Sequence, residues 1–228
     1  MDQPAPFQMP QYVIDRVMKK RGRLRVFDRF EPKESALVVI DMQEFYVKDV
    51  PEAIAIIPVI NRLARAFRER GGKVAWVKMV AGMNGQSVWP LYHDFFFTKE
   101  NGARHRDNLT PGHPGQELRA DLDTSPDDIY ADKQRFSAFI PLHSNLPEKL
   151  QEAGIRNVAI VGMLTNFCCE TSARDAMMLD YHVAMISDAN AARFEEDHAM
   201  GFPTVYQSFG DVMSCDEFLD EMLVPAKP

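Results

Sequence analysis

The chain has 228 residues, 46% of them hydrophobic, which is enough apolar material to bury the core of one domain of ordinary size. The net charge of -7 excludes a broad nucleic-acid surface, and no apolar run reaches the roughly 18 residues of a membrane span. The 3 cysteines and 6 scattered histidines form no disulfide framework or metal-ligand spacing, so we expect a cytoplasmic protein without metal or cofactor.

The polar, basic and irregular residues 1–34 are predicted to form an N-terminal arm with one short helix around Tyr12 to Lys20. The domain proper is predicted to cover residues 35–228. From Ser35 onward apolar runs of strand length alternate with amphipathic segments, which indicates an α/β fold with a parallel sheet covered on both faces.

Six strands and four helices are predicted in this domain. The strands are 36–40, 73–80, 129–132, 158–161, 183–187 and 211–214, and the helices are 51–70, 143–153, 166–180 and 195–207. The stretch 81–128, rich in glycine, proline and aromatic residues, is interpreted as a long loop that forms a lid or a pocket wall.

Ligands of such sheets bind beyond the carboxyl ends of the strands, where two charged residues are predicted. Asp41 ends the first strand, and Lys133 ends the third. Asp41 on its own is also compatible with a capping carboxylate, and Lys133 with a solvated charge. Opposite each other, however, the two would form an ion pair that can stabilise a thiolate.

Cys168 gives the strongest indication of chemistry. Gly162 permits a tight turn after the fourth strand, and Thr165 is a suitable N-cap that would place Cys168 in the first helical turn. We expect the helix terminus to lower the thiol pKa and its free N–H groups to bind an oxyanion. Cys169 lies about 100° further round the helix and is expected to pack inside, as is Cys215 near the last strand.

Several side chains are predicted to line the pocket, each with core packing as its alternative. They are Gln43, Phe45, Trp89, Tyr92, Phe136 and Phe139, with Phe167 as a further candidate. His93 and His105 lie in the long loop within possible reach of the pocket. No histidine adjoins Cys168 in the sequence, so acid–base chemistry is assigned to Asp41.

With these residues in hand, the chain resembles the isochorismatase-like cysteine hydrolase superfamily over about 34–218. The similar motifs are VIDMQ at 39–43, DKQRFSAF at 132–139 and GMLTNFC at 162–168, in the same order. The resemblance implies a catalytic Asp41, Lys133 and Cys168, and an oxyanion hole of the Leu164 and Cys168 amides after a cis peptide. It also implies a six-stranded parallel sheet in the order 3-2-1-4-5-6, within a homodimer or homotetramer.

The resemblance also guides the choice of reaction. The chain lacks the Asp-x-His motif that nicotinamidases carry shortly after the second-strand region, which disfavours that activity and a bound metal. True isochorismatases replace the cysteine, so Cys168 favours a small-molecule amide or ureido substrate, similar to those of ureidoacrylate and N-carbamoylsarcosine amidohydrolases. The alternatives are vinyl ether hydrolysis of the isochorismatase type, a redox role for Cys168 and Cys169, and a non-catalytic binding module.

Overall fold

The computed structural model describes residues 4–225, which contain one six-stranded, all-parallel sheet. Its strands are β1 (Ser35–Ile40), β2 (Lys73–Met79), β3 (Ile129–Lys133), β4 (Asn157–Met163), β5 (His182–Ala191) and β6 (Asp211–Met213). They lie side by side in the order β3-β2-β1-β4-β5-β6. The predicted α/β fold, its strand order and its three layers are therefore confirmed.

The two faces of β1 show how the layers pack. All six residues of β1 are buried, as the unbroken apolar run predicts for a central parallel strand. Leu37 and Val39 belong to the apolar core on one face of the sheet, while Val38 and Ile40 belong to the core on the other. Each buried side chain of this kind stabilises the fold by about 1.5–3 kcal/mol.

Helices cover both faces of the sheet. The first face packs against α3 (Pro51–Ala55), α4 (Ile57–Glu69) and the C-terminal helices α11 (Cys215–Glu217) and Phe218–Met222. The second packs against α7 (Leu146–Glu152), α8 (Glu170–Met178) and α10 (Pro203–Ser208). The remaining helices are α1 (Gln11–Arg21), α2 (Glu44–Val47), α5 (Pro90–Phe95), α6 (Lys99–Asn108) and α9 (Glu195–Met200). Between residues 4 and 225, no helix has the length and apolarity needed to cross a bilayer.

Two helices predicted as continuous are interrupted at prolines. The predicted helix 51–70 divides at Ile56 into α3 and α4, and Pro58 lies in the first turn of α4. The predicted helix 195–207 divides before Pro203, which begins α10. Proline lacks the N–H of a helical hydrogen bond and clashes with the preceding turn, so it is tolerated only where a helix begins.

The prediction that 81–128 is a long loop is wrong as to its secondary structure. The segment folds into a short hairpin (Gly82–Met83 and Gln86–Ser87), α5, α6 and a 3-10 turn (Pro114–Gln116). Its helices are short and largely polar, so they carry little of the apolar periodicity by which a helix is recognised in a sequence.

The N-terminal arm packs against the domain. Val13 and Val17 of α1 are buried against Tyr206 of α10 and Val212 of β6. Arg21 lies over the Tyr206 ring at 5.0 Å from its centroid. The predicted helix at Tyr12 to Lys20 is therefore present, and it covers one edge of the sheet.

Candidate active site

The carboxyl ends of β1 and β4 meet unusually closely, which brings distant parts of the sequence together. Ile40 is in register with Gly162, and the Gly162 backbone adopts a φ of 115°. A Cβ atom at Gly162 would overlap the carbonyl oxygen of Ile40, so only glycine fits this approach. Asp41, at a left-handed φ of 55°, then turns the chain away from the sheet.

The structure brings Asp41, Lys133 and Cys168 together. Lys133 Nζ lies 2.7 Å from Asp41 Oδ2 and 3.4 Å from Cys168 Sγ. It also donates to the carbonyl oxygen of Arg135 at 3.0 Å. Lys133 is fully buried, and the second carboxylate oxygen, Asp41 Oδ1, has no hydrogen-bond partner among the described residues. A buried charge pair thus contacts the thiol and leaves one carboxylate oxygen available.

The turn that carries Cys168 differs from the predicted α-helical start. Thr165–Cys169 forms a π-helical turn in which the Cys169 N–H donates to the Leu164 carbonyl oxygen, five residues earlier, at 3.2 Å. The prediction that Thr165 is an N-cap is wrong, because its hydroxyl instead lies 2.8 Å from Nδ1 of His198. Cys168 is half-buried beside the cavity, whereas Cys169 is fully buried in the core, as its position round the helix predicts.

The pKa shifts follow from burial and from the two neighbouring charges. Burial, followed by the negative charge of Asp41, raises the pKa of Cys168 to about 12, although Lys133 acts in the opposite direction. The prediction of a lowered thiol pKa is therefore wrong for the resting protein. Burial raises the pKa of Asp41, against the effect of Lys133. Burial also disfavours the ammonium of Lys133, but Asp41 and Cys168 outweigh it and raise the pKa of Lys133.

A cavity of about 350 Å³ opens above these residues. Of the residues predicted to line it, Phe45, Tyr92, Phe136 and Phe167 do so, together with Asp41 and Cys168. A floor with a carboxylate and a thiol, under aromatic walls, suits a small polar group on a flat or apolar body.

Three of the predicted lining residues lie elsewhere. Gln43 is fully buried, where its amide nitrogen donates to the carbonyl oxygens of Met79 and Gln116 and its oxygen accepts from the Met79 N–H. Phe139 belongs to the core on one face of the sheet, and Trp89 packs behind Tyr92, 4.6 Å between ring centroids. The prediction that these three side chains line the cavity is wrong: Gln43 and Phe139 are fully buried, and the half-buried Trp89 packs against Tyr92 outside the lining residues.

Several lining residues were not anticipated. They include Tyr46, Asp49, Phe97, Asn101, Arg104 and Arg193, and His105 also reaches the cavity. Phe97, Asn101, Arg104 and His105 recur at the three- and four-residue spacing of a helix face, which is the signal the sequence offered. Because three of the four are polar, this face does not stand out as an apolar stripe.

The backbone beside Cys168 has the predicted cis peptide, between Met163 and Leu164. The Leu164 carbonyl oxygen accepts from the Phe167 and Cys169 N–H groups, and the Cys168 N–H between them is not one of its donors. Among residues 4–225, no three His, Cys, Asp or Glu side chains are grouped so that they could hold a metal ion.

The fold and site define an α/β protein with a buried Asp-Lys pair and a cysteine at the carboxyl edge of its sheet. The isochorismatase domain model matches residues 35–217, so the chain belongs to the isochorismatase family.

Similarity to individual proteins extends over most of the chain. Ureidoacrylate amidohydrolase RutB of Pseudomonas syringae pv. syringae is 29% identical over 210 residues, covering 83% of this chain and 84% of that protein. Nicotinamidase 3 of Arabidopsis thaliana is 28% identical over 194 residues, covering 84% and 90%. A cysteine hydrolase structure from Pseudomonas syringae pv. phaseolicola has a TM-score of 0.76 at 24% identity, covering 86% and 95%.

Proposed function

We propose that the protein is a cysteine-dependent hydrolase of a small amide or ureido compound, with Asp41, Lys133 and Cys168 as its catalytic residues. The observation that carries the proposal is the Lys133 ammonium, which lies 2.7 Å from Asp41 and 3.4 Å from the Cys168 sulfur at the cavity floor. Family membership and the amidohydrolases among the similar proteins support a hydrolase of carbon–nitrogen bonds other than peptide bonds.

The first half of the proposed reaction forms a thioester. Asp41 accepts the thiol proton through Oδ1, which no other described residue engages, as the sulfur attacks the carbonyl carbon. A thiol with a pKa of about 12 loses its proton only as the bond forms. Lys133 stays charged and stabilises the developing thiolate. The Leu164 and Cys168 amides donate to the oxyanion, and Asp41 returns the proton to the departing nitrogen.

The second half hydrolyses the thioester. Ammonia or an amine has left, and Asp41, again ionised, takes a proton from a water molecule that attacks the thioester carbon. Collapse of this second tetrahedral intermediate expels the sulfur, which recovers its proton from Asp41. The acid is released and the resting thiol is restored.

Two arginines at the cavity support a substrate that also carries a carboxylate. Arg104 and Arg193 both line the cavity, and neither forms a salt bridge among the described residues. A guanidinium can bind a carboxylate through two parallel hydrogen bonds. We therefore favour ureido acids over uncharged amides.

A screen of small amides, ureido acids and lactams, scored by ammonia release, tests the proposal. We expect ureido acids to react fastest, Cys168→Ala to lose at least about 10³-fold in kcat, and Cys169→Ala to retain most activity. Arg193→Gln should raise KM for ureido acids about tenfold, whereas the exposed Arg16→Gln on α1 should not. Full activity of Cys168→Ala in this screen would contradict the proposal that the cysteine is required.

A further inference from the structure

A chain of hydrogen bonds runs from the cavity wall into the segment between β2 and β3. Tyr46 Oη lies 2.8 Å from His105 Nε2, and His105 Nδ1 lies 2.9 Å from His93 Nε2. His93 Nδ1 lies 3.2 Å from the Trp89 carbonyl oxygen and 2.5 Å from Ser87 Oγ. Both imidazoles are buried, and the proposed reaction uses neither of them.

The donors and acceptors in this series of hydrogen bonds follow from its end farthest from the cavity, at His93 Nδ1. The Trp89 carbonyl oxygen can only accept, so we assign the hydrogen to His93 Nδ1. Ser87 Oγ accepts the Trp89 N–H at 3.0 Å with one lone pair, and its other lone pair can share the His93 proton. If the Ser87 hydroxyl donated to His93 Nδ1 instead, the lone pair of Nδ1 would face a lone pair of the Trp89 carbonyl oxygen, and the two would repel each other.

Both histidines are neutral, so the donor and the acceptor are also determined in the hydrogen bonds that lead from His93 to Tyr46 at the cavity. Burial lowers the pKa of His93, and burial together with His93 and Lys133 lowers the pKa of His105 to about 3. Each ring therefore has one N–H. His93 Nε2 accepts from His105 Nδ1, which leaves His105 Nε2 to accept the Tyr46 proton. Burial also raises the pKa of Tyr46, so the phenol keeps that proton.

We propose that Ser87, His93 and His105 fix the Tyr46 hydroxyl as a hydrogen-bond acceptor toward the cavity, where it selects substrates that present an N–H. Tyr46 lines the same cavity as Asp41 and Cys168. The group it accepts from is the amide or ureido nitrogen of the substrate. The proposal rests on the proposed function, and His93 and His105 act in it as positioning residues.

Nitrogen-15 NMR of the histidine side chains in the intact protein tests the direction without any substrate. We expect both His93 and His105 to carry hydrogen on Nδ1, which distinguishes them from rings protonated on Nε2. Variants that lack each histidine in turn assign the signals. Hydrogen on Nε2 of either ring would exchange the donors and acceptors, so that His105 Nε2 donates to the Tyr46 oxygen. The Tyr46 proton would then point toward the cavity, and this result would overturn the proposal.

A pair of alkylating reagents tests the selection itself. Iodoacetamide presents an N–H beside its carbonyl, whereas methyl iodoacetate does not, and both modify a cysteine. Tyr46→Phe should slow modification of Cys168 by iodoacetamide about fivefold to tenfold relative to the ester, and the exposed Tyr12→Phe should leave the ratio unchanged. An unchanged ratio in Tyr46→Phe would overturn the acceptor role.

His93→Phe separates positioning from structural support, because His93 does not line the cavity. It frees His105 to carry its hydrogen on Nε2, so we expect the same selective loss with iodoacetamide and an unchanged rate with the ester. Equal slowing of both reagents would overturn the positioning role. Failure of both reagents to modify Cys168 in the unaltered protein would contradict the proposed function instead, and the NMR result would still decide the tautomers.

Discussion

The Asp41 carboxylate and the Lys133 ammonium are buried side by side, and each stabilises the charged form of the other. Their separation is 2.7 Å, and Lys133 is fully buried. Removing water from a charge costs several kcal/mol unless a partner and hydrogen bonds compensate. Here Asp41 and the Arg135 carbonyl compensate the ammonium, while Asp41 Oδ1 has no hydrogen-bond partner in the described part of the chain. The catalytic role that we propose for this pair therefore comes at some expense in stability.

Lys133→Met should destabilise the protein by about 3–5 kcal/mol, because it leaves the Asp41 carboxylate buried and unpaired. Adding Asp41→Asn to this variant should recover a large part of the loss. The half-buried Lys78→Met, which removes contacts with Gln116 and Glu117, should cost about 1 kcal/mol or less. Urea unfolding measures all four proteins. Equal losses of unfolding free energy in Lys133→Met and Lys78→Met would show that the buried ion pair contributes no more to stability than the half-buried contacts of Lys78.

The Cys168 thiol should remain protonated across the neutral and mildly alkaline range, since its pKa is raised to about 12. The ultraviolet absorbance of a thiolate, taken as the difference between the unaltered protein and Cys168→Ala, should be absent from about pH 7 to about pH 10. Because the shift is upward, the signal should appear only on further increase in pH. A thiolate signal at neutral pH would show that Lys133 outweighs burial.

The three charged or nucleophilic residues were predictable from the sequence because each follows a recognisable strand. Asp41 follows an apolar run, Lys133 follows the short strand 129–132, and Cys168 follows an apolar run after a short turn. The outward position of Cys168 and the inward position of Cys169 also followed from their spacing. The raised pKa of the Cys168 thiol was not predictable, because it depends on how deeply the thiol is buried and how close Asp41 lies. Neither can be inferred from a sequence pattern.

At the scale of elements, the site depends on how closely β1 and β4 approach at their carboxyl ends. The Gly162 position excludes any side chain, and the strands that end at Ile40 and Met163 hold the carboxylate and the π-helical turn against each other. The strands were predicted well, since buried strands are continuous apolar runs, and their order was implied by the family resemblance. The helices between β2 and β3 were missed, since they are short and mostly polar.

Gly162→Ala should destabilise the protein by about 3 kcal/mol or more, because its Cβ would overlap the Ile40 carbonyl oxygen and lie 2.8 Å from the Ile40 nitrogen. Gly154 is the matched control, since its φ is also positive, at 70°, but nothing lies within 4 Å of an added Cβ. Gly154→Ala should cost only about 1 kcal/mol. Thermal or urea unfolding compares them, and similar losses would contradict the close approach of the strands.

At the scale of the whole molecule, the N-terminal arm and the three-layer domain pack as one body. Val13 and Val17 of α1 are buried, and the Asp211 carboxylate of β6 accepts from the Val26 and Phe27 N–H groups of the arm. The boundary between arm and domain after residue 34 remains a prediction, as does the homodimer or homotetramer. The sequence showed a helix in the arm but not its partner, since packing of α1 on α10 joins segments nearly 190 residues apart.

Val17→Ala should lower the free energy of unfolding by about 2 kcal/mol if the arm unfolds together with the domain, because it removes two buried methyl groups. Met18→Ala, on the exposed side of the same helix, should change it by no more than about 0.5 kcal/mol. Urea unfolding followed by circular dichroism measures both. If Val17→Ala leaves the transition unchanged, the arm is not part of the cooperative unit.

The measurement that tests the central claim most directly is mass spectrometry of the protein quenched in acid during turnover of a ureido acid or small amide. We predict an adduct with the mass of the acyl group on the peptide that contains Cys168. It should persist in Cys169→Ala and disappear in Cys168→Ala together with turnover. An adduct on Cys169 or Cys215, or undiminished turnover by Cys168→Ala, would contradict the assignment of Cys168 as the nucleophile.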